Sequence, residues 1–433
     1  MRKEENMYFK NREEKIAFIT QYFQQSCRED KDRALGFELE HFVIDKKSKK
    51  RIFVHEGVKD ILDELNQSGA GDPESQGIAR KNYSYTIEPG AQFEISVTKA
   101  DKIQDLEKFY KEAIGEVWPL LEKRGYSLLN IGVDPVNAWK DIPIISKKRY
   151  HLMNNYFEGR GELSRSMMRQ SCALQIAIDY ASEEDFIKKF RVLTALVPIL
   201  YSLFDNSPYF EGKKIVHYNF RQWIWTNTDP ARTGIFKKVF DEDFSFSSYA
   251  KWLLDVPMIF LPKAEPIPFE ESLDIALDQV EGKEEALAYL EHALSIVFPD
   301  IRVKKYLEIR PMDSVPLAYS LGAVALIKGL FYHQENFDHL VEEFSPMTTA
   351  IVERGKEAGK DNGIQAYYFS KYMANWGLEL SEMARKGLSE EEGKYLAPLK
   401  DLWDQLLSPR GLFEKIERKE GYTSALEAFE VRV

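Results

Sequence analysis

Gly36-Phe37-Glu38-Leu39-Glu40 is the stretch whose reading decides the fold. A β-strand sends successive side chains to opposite faces, so Glu38 and Glu40 share one face and Phe37 and Leu39 the other. Three further segments repeat the pattern. In Glu88-Pro89-Gly90-Ala91-Gln92-Phe93-Glu94-Ile95-Ser96, the residues Gln92, Glu94 and Ser96 oppose Phe93, Ile95 and Val97, and Glu88 stands just before a Pro89-Gly90 turn. In Cys172–Asp179, Gln175 and Asp179 oppose Cys172, Leu174, Ile176 and Ile178. In Arg302–Arg310, one face carries Arg302, Lys304, Tyr306, Glu308 and Arg310. Any one of these reads as a half-buried strand with a solvated face. Together they say more, because three of the polar faces are almost free of lysine and rich in Glu, Gln and Ser. Carboxylates gathered in this way raise one another's pKa unless a cation sits among them. Oxygen donors without His or Cys select a hard cation, Mg²⁺ before Zn²⁺. The fourth segment sets cations beside a carboxylate, which suits an anionic phosphate.

Working outward, residues 8–30 read as an amphipathic helix, and 57–67 as a second with Val58, Ile61, Leu62 and Leu65 at helical spacing. Gly69–Gln76 reads as a loop, and residues 83–97 as two strands joined at Pro89-Gly90. A long helix is expected over 103–124, strands over 126–133 and 171–180, and a helix from Glu183 to Phe204 that stops at Asn206-Ser207-Pro208. Val216–Trp225 and Ile301–Arg310 read as strands, and nearly everything from Pro316 onward as helix. Strands and helices mix irregularly, which points to an α+β fold with a largely antiparallel sheet and a helical C-terminal third. No repeat, low-complexity tract or linker interrupts the chain. One catalytic unit over 1–433 is expected, with a sheet-bearing core in 1–315 and a helical part in 316–433.

The chain has 433 residues, with 59 Lys+Arg against 70 Asp+Glu and a net charge of −11. That balance excludes a nucleic-acid surface, although a few local arginines and metal ions still hold phosphate on an acidic protein. Cys27 and Cys172 make no disulfide framework, so a reducing cytoplasm is expected. Cys172, on the apolar side of its strand, reads as a buried small hydrophobe. Met1–Glu5 is charged and leads into no apolar run, so no signal peptide is expected. The longest apolar run, Val192–Phe204, is too short to span a bilayer, so no membrane partner is expected. The histidines, His333 and His339 included, form no metal pattern, no phosphate-loop motif occurs, and Gly159-Arg160-Gly161 reads as a loop. Trp223 and Trp225 flank Arg221 as pocket wall or as core. Tyr367-Tyr368-Phe369 with Tyr372 and Trp376 reads as helix packing.

Taken together, Gly36–Glu40, Glu88–Glu94 and Tyr306-Leu307-Glu308-Ile309-Arg310 resemble the plant and proteobacterial type of glutamate–cysteine ligase. Arg149-Tyr150, Met167-Met168-Arg169, Leu203–Pro208, Ile224–Asp229 through Arg232-Thr233-Gly234, and Leu254–Met258 extend the resemblance in the family's order across residues 33–315. The resemblance implies a fold related to glutamine synthetase and the guanidino kinases, an antiparallel sheet curved into a funnel with the site on its concave face. It implies ATP, Mg²⁺ (two or three ions), glutamate and cysteine, and a γ-glutamyl phosphate intermediate. Its metal-ligand pattern falls on Glu38, Glu40, Glu88, Glu94, Gln175 and Glu308. Arg221 and Arg310, beside Glu308, match the arginines for the glutamate carboxylate and the transferring phosphate; Arg149, Trp225 and Met168 join Arg221 on the substrate side. Lys304, Arg302, Arg232 and Tyr306 fall on the nucleotide side. The sequence departs from the plant pattern at Leu39 and His41, where that pattern has a His and a Lys, in a shorter Pro262–Phe298 segment, and in lacking counterparts of the plant regulatory cysteines. A ligase of the same chemistry with a different amine acceptor, and a non-catalytic nucleotide-binding relative, therefore stay open, and no oligomeric state follows.

Overall fold

β1 (Leu35–Asp45) is the strand around which the sheet assembles. The computed structural model describes residues 8–29, 33–67, 71–72, 77–267 and 271–432. The other strands of the sheet are β2 (Gly71–Asp72), β3 (Gly77–Ala79), β4 (Tyr83–Ile87), β5 (Phe93–Ala100), β6 (Tyr126–Leu129), β7 (Leu174–Ile178), β8 (Ile301–Val303) and β9 (Leu307–Ile309). Their order is β8-β9-β7-β1-β5-β4-β3-β2, with β6 pairing the far end of β1, and every pairing is antiparallel. The register sets Glu38 opposite Ser96 on one side and Gln175 on the other, Glu40 opposite Glu94, and Arg302 opposite Glu308. Because paired residues share a face, these polar side chains all project from one side of the sheet.

The other side is the core. Phe37, Leu39, Phe93, Ile95, Leu174, Ile176, Leu307 and Ile309 are all buried there. Helix α3 (Ile103–Glu122) covers β4 and β5 through Leu106, Tyr110, Ala113 and Val117, which recur at helical spacing on one stripe. His41 belongs to this apolar side. Its ring lies between the Phe93 carbonyl (3.1 Å) and the Tyr110 hydroxyl (2.8 Å), and burial lowers its pKa to about 4, so it is neutral. At roughly 25 cal/mol per Å² of apolar surface, this face anchors the sheet and leaves the opposite face free to be polar.

The turn between β4 and β5 is tightly held. Ala91 adopts φ 67°, a left-handed conformation that costs a non-glycine residue about 1–2 kcal/mol. Gly90 lies so close to the end of helix α5 (Ser164–Gln170) that a Cβ there would stand 2.5 Å from the Arg169 carbonyl oxygen. Arg51, buried and stacked over Phe42, donates to the Gly90 carbonyl, the Arg169 carbonyl (2.9 Å) and Asp134 (2.7 Å).

Four expectations change. Val216–Trp225 is not a strand: Phe220–Thr226 forms helix α7, entered through Asn219 at φ 52°. Burial of Arg221, Gln222, Ile224 and Trp225 follows the helical period, which outweighs the strand propensity of the aromatic residues. Ile301–Arg310 is a hairpin, with Lys304-Lys305-Tyr306 at its turn, although its even-numbered residues keep their common face. Tyr367–Tyr368 and Lys371–Tyr372 also form a small hairpin, in which Tyr367 and Tyr372 meet edge-on in solvent while Tyr368 and Trp376 are buried. Most of the loop expected over Gly69–Gln76 lies outside the described residues, and its described part, Gly71–Asp72, is β2.

Beyond the sheet, helix α6 (Glu183–Leu203) is almost wholly buried, capped by Ser182 accepting from the Asp185 amide. It packs against two helices of the C-terminal part, Thr349–Asn362 and Met373–Lys386. Leu317–Phe331, the most apolar helix of that part, packs on Met373–Lys386, α3 and β1.

A Gly90→Ala substitution forces this turn off Arg169, and overpacking of this kind costs about 1–3 kcal/mol. Urea unfolding should show a loss in that range for the variant; an unchanged midpoint would place Gly90 in open space.

Candidate active site

The polar face of the sheet floors a cavity of about 370 Å³. Glu38, Glu40, Glu88, Glu94 and Gln175 line it from β1, the β4–β5 turn, β5 and β7. Helix α4 (Lys148–Tyr156) and the residue before it supply Arg149, Tyr150 and Lys147; α5 supplies Met167 and Met168. Helix α7 sets Arg221 and Trp225 four residues apart, hence side by side on one face, and both enter the cavity with Arg302, Lys304 and Arg310. A second cavity of about 210 Å³ adjoins it, sharing Glu38 and Gln175, and is walled by Gly36, Val97, Ala177, Asp179, Tyr306 and Glu308.

The two sides of this space handle charge differently. On one side the carboxylates face each other. Burial first, then Glu94 and Glu308, push Glu38 up to about 7. Burial and Glu88 push Glu94 up to about 7, although it accepts from Thr86 (2.6 Å) and Ser96 (3.1 Å). Glu40 is raised well above the usual carboxylate range by burial, Glu94 and Glu88, despite accepting from the Ala173 amide (2.8 Å) and the Gln175 side chain (3.2 Å). Glu88 is raised by burial, a trend that Arg149 and Lys147 resist. On the other side Glu308 is ringed by cations: Arg302 Nε at 2.6 Å, Lys304 Nζ at 2.9 Å and Arg310 Nη1 at 3.0 Å. Burial alone would raise Glu308, but the three cations outweigh it and hold the carboxylate well below its usual range. Arg310 also donates to Gln175 Oε1.

Arg221 is buried and donates to the carbonyls of Arg310 (3.0 Å), Pro311 and Met312, while its Nε has no protein partner. The guanidinium groups of Arg221 and Arg310 stand 5.9 and 5.5 Å from the Trp225 ring centroid. Trp225 is therefore wall, and Trp223, on the solvent side of α7, is not.

Most of the residues singled out in the sequence thus meet here. Arg232 does not. It is fully buried, and its guanidinium is satisfied by Asp229 (2.7 Å), the Ile296 carbonyl, the Tyr156 hydroxyl and the Pro257 carbonyl. Its assignment to the nucleotide side is corrected to a structural knot joining α4, α7 and the segment before β8. Lys147 lines the cavity from a loop with no period to read and had no signal in the sequence; Arg51, which stands behind the wall, lies hidden in the basic run Lys46–Arg51.

The donor set suits a hard cation: oxygen ligands only, crowded, buried and prone to hold protons when none is near. Among the described residues, no three or more His, Cys, Asp or Glu side chains stand close enough to form a metal cage.

Comparison with known proteins gives consistent relatives. The sequence pattern of glutamate-cysteine ligase family 2 matches residues 34–424. Glutamate–cysteine ligase B of Oryza sativa subsp. japonica, a chloroplastic protein, is 30% identical over 392 residues, covering 88% of this chain and 79% of its own. The chloroplastic glutamate–cysteine ligase of Arabidopsis thaliana is 31% identical over 318 residues, 72% of this chain and 61% of its own. Among solved structures, a glutamate–cysteine ligase of Francisella tularensis in complex with AMP superposes with a TM-score of 0.51 at 14% identity, over 92% of this chain and 87% of that one, and shares the fold. The chloroplastic naming of these relatives overturns the cytoplasmic setting expected from the two cysteines. Thiol content reports redox conditions, not a compartment.

A group whose folded pKa is raised stabilises the fold when protonated, so the contribution of Glu94 is lost as pH rises from about 4.5 through about 7. Glu94→Gln removes that loss. In divalent-free buffer the variant should match the parent near pH 5 and exceed it by about 1–3 kcal/mol at pH 8. Urea melts across that range test this, and a difference independent of pH would contradict the crowding.

Proposed function

This chain belongs to the glutamate-cysteine ligase family, and from that premise we propose how its site joins glutamate to cysteine at the expense of ATP, the entry step of glutathione-type thiol synthesis. The observation that carries the reading is the division of one cavity into a wall of crowded carboxylates and a wall of cations, with Arg221 between them. A carboxylate does not react with an amine because oxide is a hopeless leaving group; phosphorylation converts it into a good one. The γ-phosphoryl group passes from ATP to the glutamate side-chain carboxylate, releasing ADP. The acceptor amine, having lost its proton, then attacks the acyl carbon, and inorganic phosphate leaves.

Each group has a part in this reading. Arg221, with its unpartnered Nε, and Arg149 take the α-carboxylate of glutamate, so that the γ-carboxylate meets the phosphate. Trp225 and Met168 wall the substrate side and exclude water. Arg302, Lys304 and Arg310 receive the phosphates. Tyr306 and the smaller, more apolar cavity receive the adenosine. Mg²⁺ would be held by oxygens drawn from Glu38, Glu40, Glu88, Glu94, Gln175 and Glu308, two or three ions in all. Once bound it supplies charge neutralisation between the triphosphate and the incoming anion. The departures at Leu39 and His41 do not reach the reacting groups: both side chains lie on the buried, apolar side of β1.

Purified protein with Mg²⁺, ATP, glutamate and cysteine should release ADP and phosphate and form γ-glutamylcysteine, identified by mass. ADP release with a different amine only would keep the activation step and replace the acceptor; none with any amine would end the reading. Arg221→Lys keeps the charge but loses the fork, and losing a desolvated bidentate partner costs about 2–5 kcal/mol. The KM for glutamate should rise at least tenfold, with the KM for ATP nearly constant; equal rises in both would remove Arg221 from the glutamate carboxylate.

A further inference from the structure

Neither cavity is lined by a residue beyond Arg310, yet the helical part that follows packs closely on the core. Some of its side chains reach the walls of the site, Tyr332 at Ala34 and Asp179 among them, and one of these side chains is a buried cation. Lys356, on the helix Thr349–Asn362, is buried and places Nζ 2.8 Å from Asp300 Oδ2. The other oxygen of Asp300 accepts from the Tyr201 hydroxyl at 2.6 Å. Asp300, itself buried, immediately precedes β8. Its carbonyl accepts from the Arg310 amide at 3.1 Å, and its amide donates to the Gly234 carbonyl at 2.8 Å.

The path then closes on itself. Arg221 Nη1 donates to the Arg310 carbonyl at 3.0 Å. Gln222, the next residue on α7, donates from Nε2 to the carbonyl of Lys356 at 3.2 Å. Lys356, Asp300, Arg310, Arg221 and Gln222 thus form one ring of hydrogen bonds and covalent neighbours, and two of its members are the arginines assigned to the substrates. The ammonium meets Asp300 and stands 5.9 Å from the Tyr201 ring centroid, is nearly wholly buried, and lines neither cavity.

We infer that Lys356 is a positioning residue, by which the helical C-terminal part fixes Arg310 and Arg221 relative to each other through its ion pair with Asp300. This rests on the reading that those arginines hold the phosphate and glutamate. A buried ion pair is a natural fastener for such a joint. Removing one partner leaves an uncompensated charge, whereas removing both is often nearly neutral for stability, so positioning and folding can be separated. Arginine placement within about 1 Å matters for rate, because misplacement on that scale costs up to about 100-fold.

The test uses Lys356→Met, Asp300→Asn, the double variant and Lys356→Arg in the full-length protein. The single variants should melt well below the parent, and the double variant should recover most of that loss. It should nevertheless keep kcat/KM for glutamate about 10–100-fold below the parent, with the KM for ATP within about twofold. Lys356→Arg, which restores the charge, should regain activity beyond the double variant. The Arg310 amide, read by hydrogen exchange, should exchange faster in the double variant than in the parent, while amides of α3 keep their protection. A double variant with parental glutamate kinetics, or with parental exchange at Arg310, would overturn the proposal and leave the pair as packing alone. A parent inactive with every amine would refute the ligase reading instead, and Arg310 exchange would still decide whether the ring holds.

Discussion

The pairing of β1 with β5 places Glu40 directly across from Glu94, and much of the molecule follows from that register. Opposed side chains in an antiparallel pair stand about 5 Å apart, and like charges there are destabilising. The strands cannot relieve the repulsion by slipping one residue, because the same slip would turn Phe37, Leu39, Phe93 and Ile95 out of the core. The apolar side therefore enforces what the polar side resists. The remaining outlets are protonation, which the raised pKa values of Glu38, Glu40, Glu88 and Glu94 express, and cations at the rim, which Lys147 and Arg149 supply at Glu88.

This logic explains what could be read in the sequence. Alternation survives wherever a strand is long enough to show it, so Glu38, Glu40, Glu94 and Gln175 announced their common face. It fails where the backbone changes type over a few residues. Val216–Trp225 carries strand-like aromatic residues, but a left-handed Asn219 starts a short helix, and no local pattern marks that switch. The turn in Ile301–Arg310 is built from Lys304, Lys305 and Tyr306, without Gly, Pro or Asn to betray it. Arg232 and Arg221 look equivalent as sequence, and only their surroundings separate them: four protein acceptors enclose the first, away from both cavities, whereas the second lines the larger cavity and leaves its Nε without a protein acceptor. Arg51 could not be found at all, since its three acceptors come from segments far apart in the chain.

Arg51 and Lys356 share a form. Each is a buried cation with one carboxylate partner, Asp134 and Asp300 respectively, and each stands behind the cavity wall, not in it. Arg51 ties the turn bearing Glu88 to the end of α5, near Met168. Lys356 ties the C-terminal helices to the hairpin bearing Arg302 and Arg310. Both joints act on backbone carbonyls and amides, so they hold wall segments in place without adding charge to the cavity.

The ring of Arg302, Lys304 and Arg310 around Glu308 has a consequence for selectivity among anions. In the absence of ligand one of these three positive charges is already balanced from within the protein. A chloride, bicarbonate or lone phosphate arriving from solvent must compete with a carboxylate held at 2.6–3.0 Å that loses no translational freedom by staying. On the proposed reading a triphosphate gains contacts with the base, the sugar and several oxygens at once, which a small anion cannot match. Glu308 is in that sense a built-in counter-ion, one that an incoming anion has to displace.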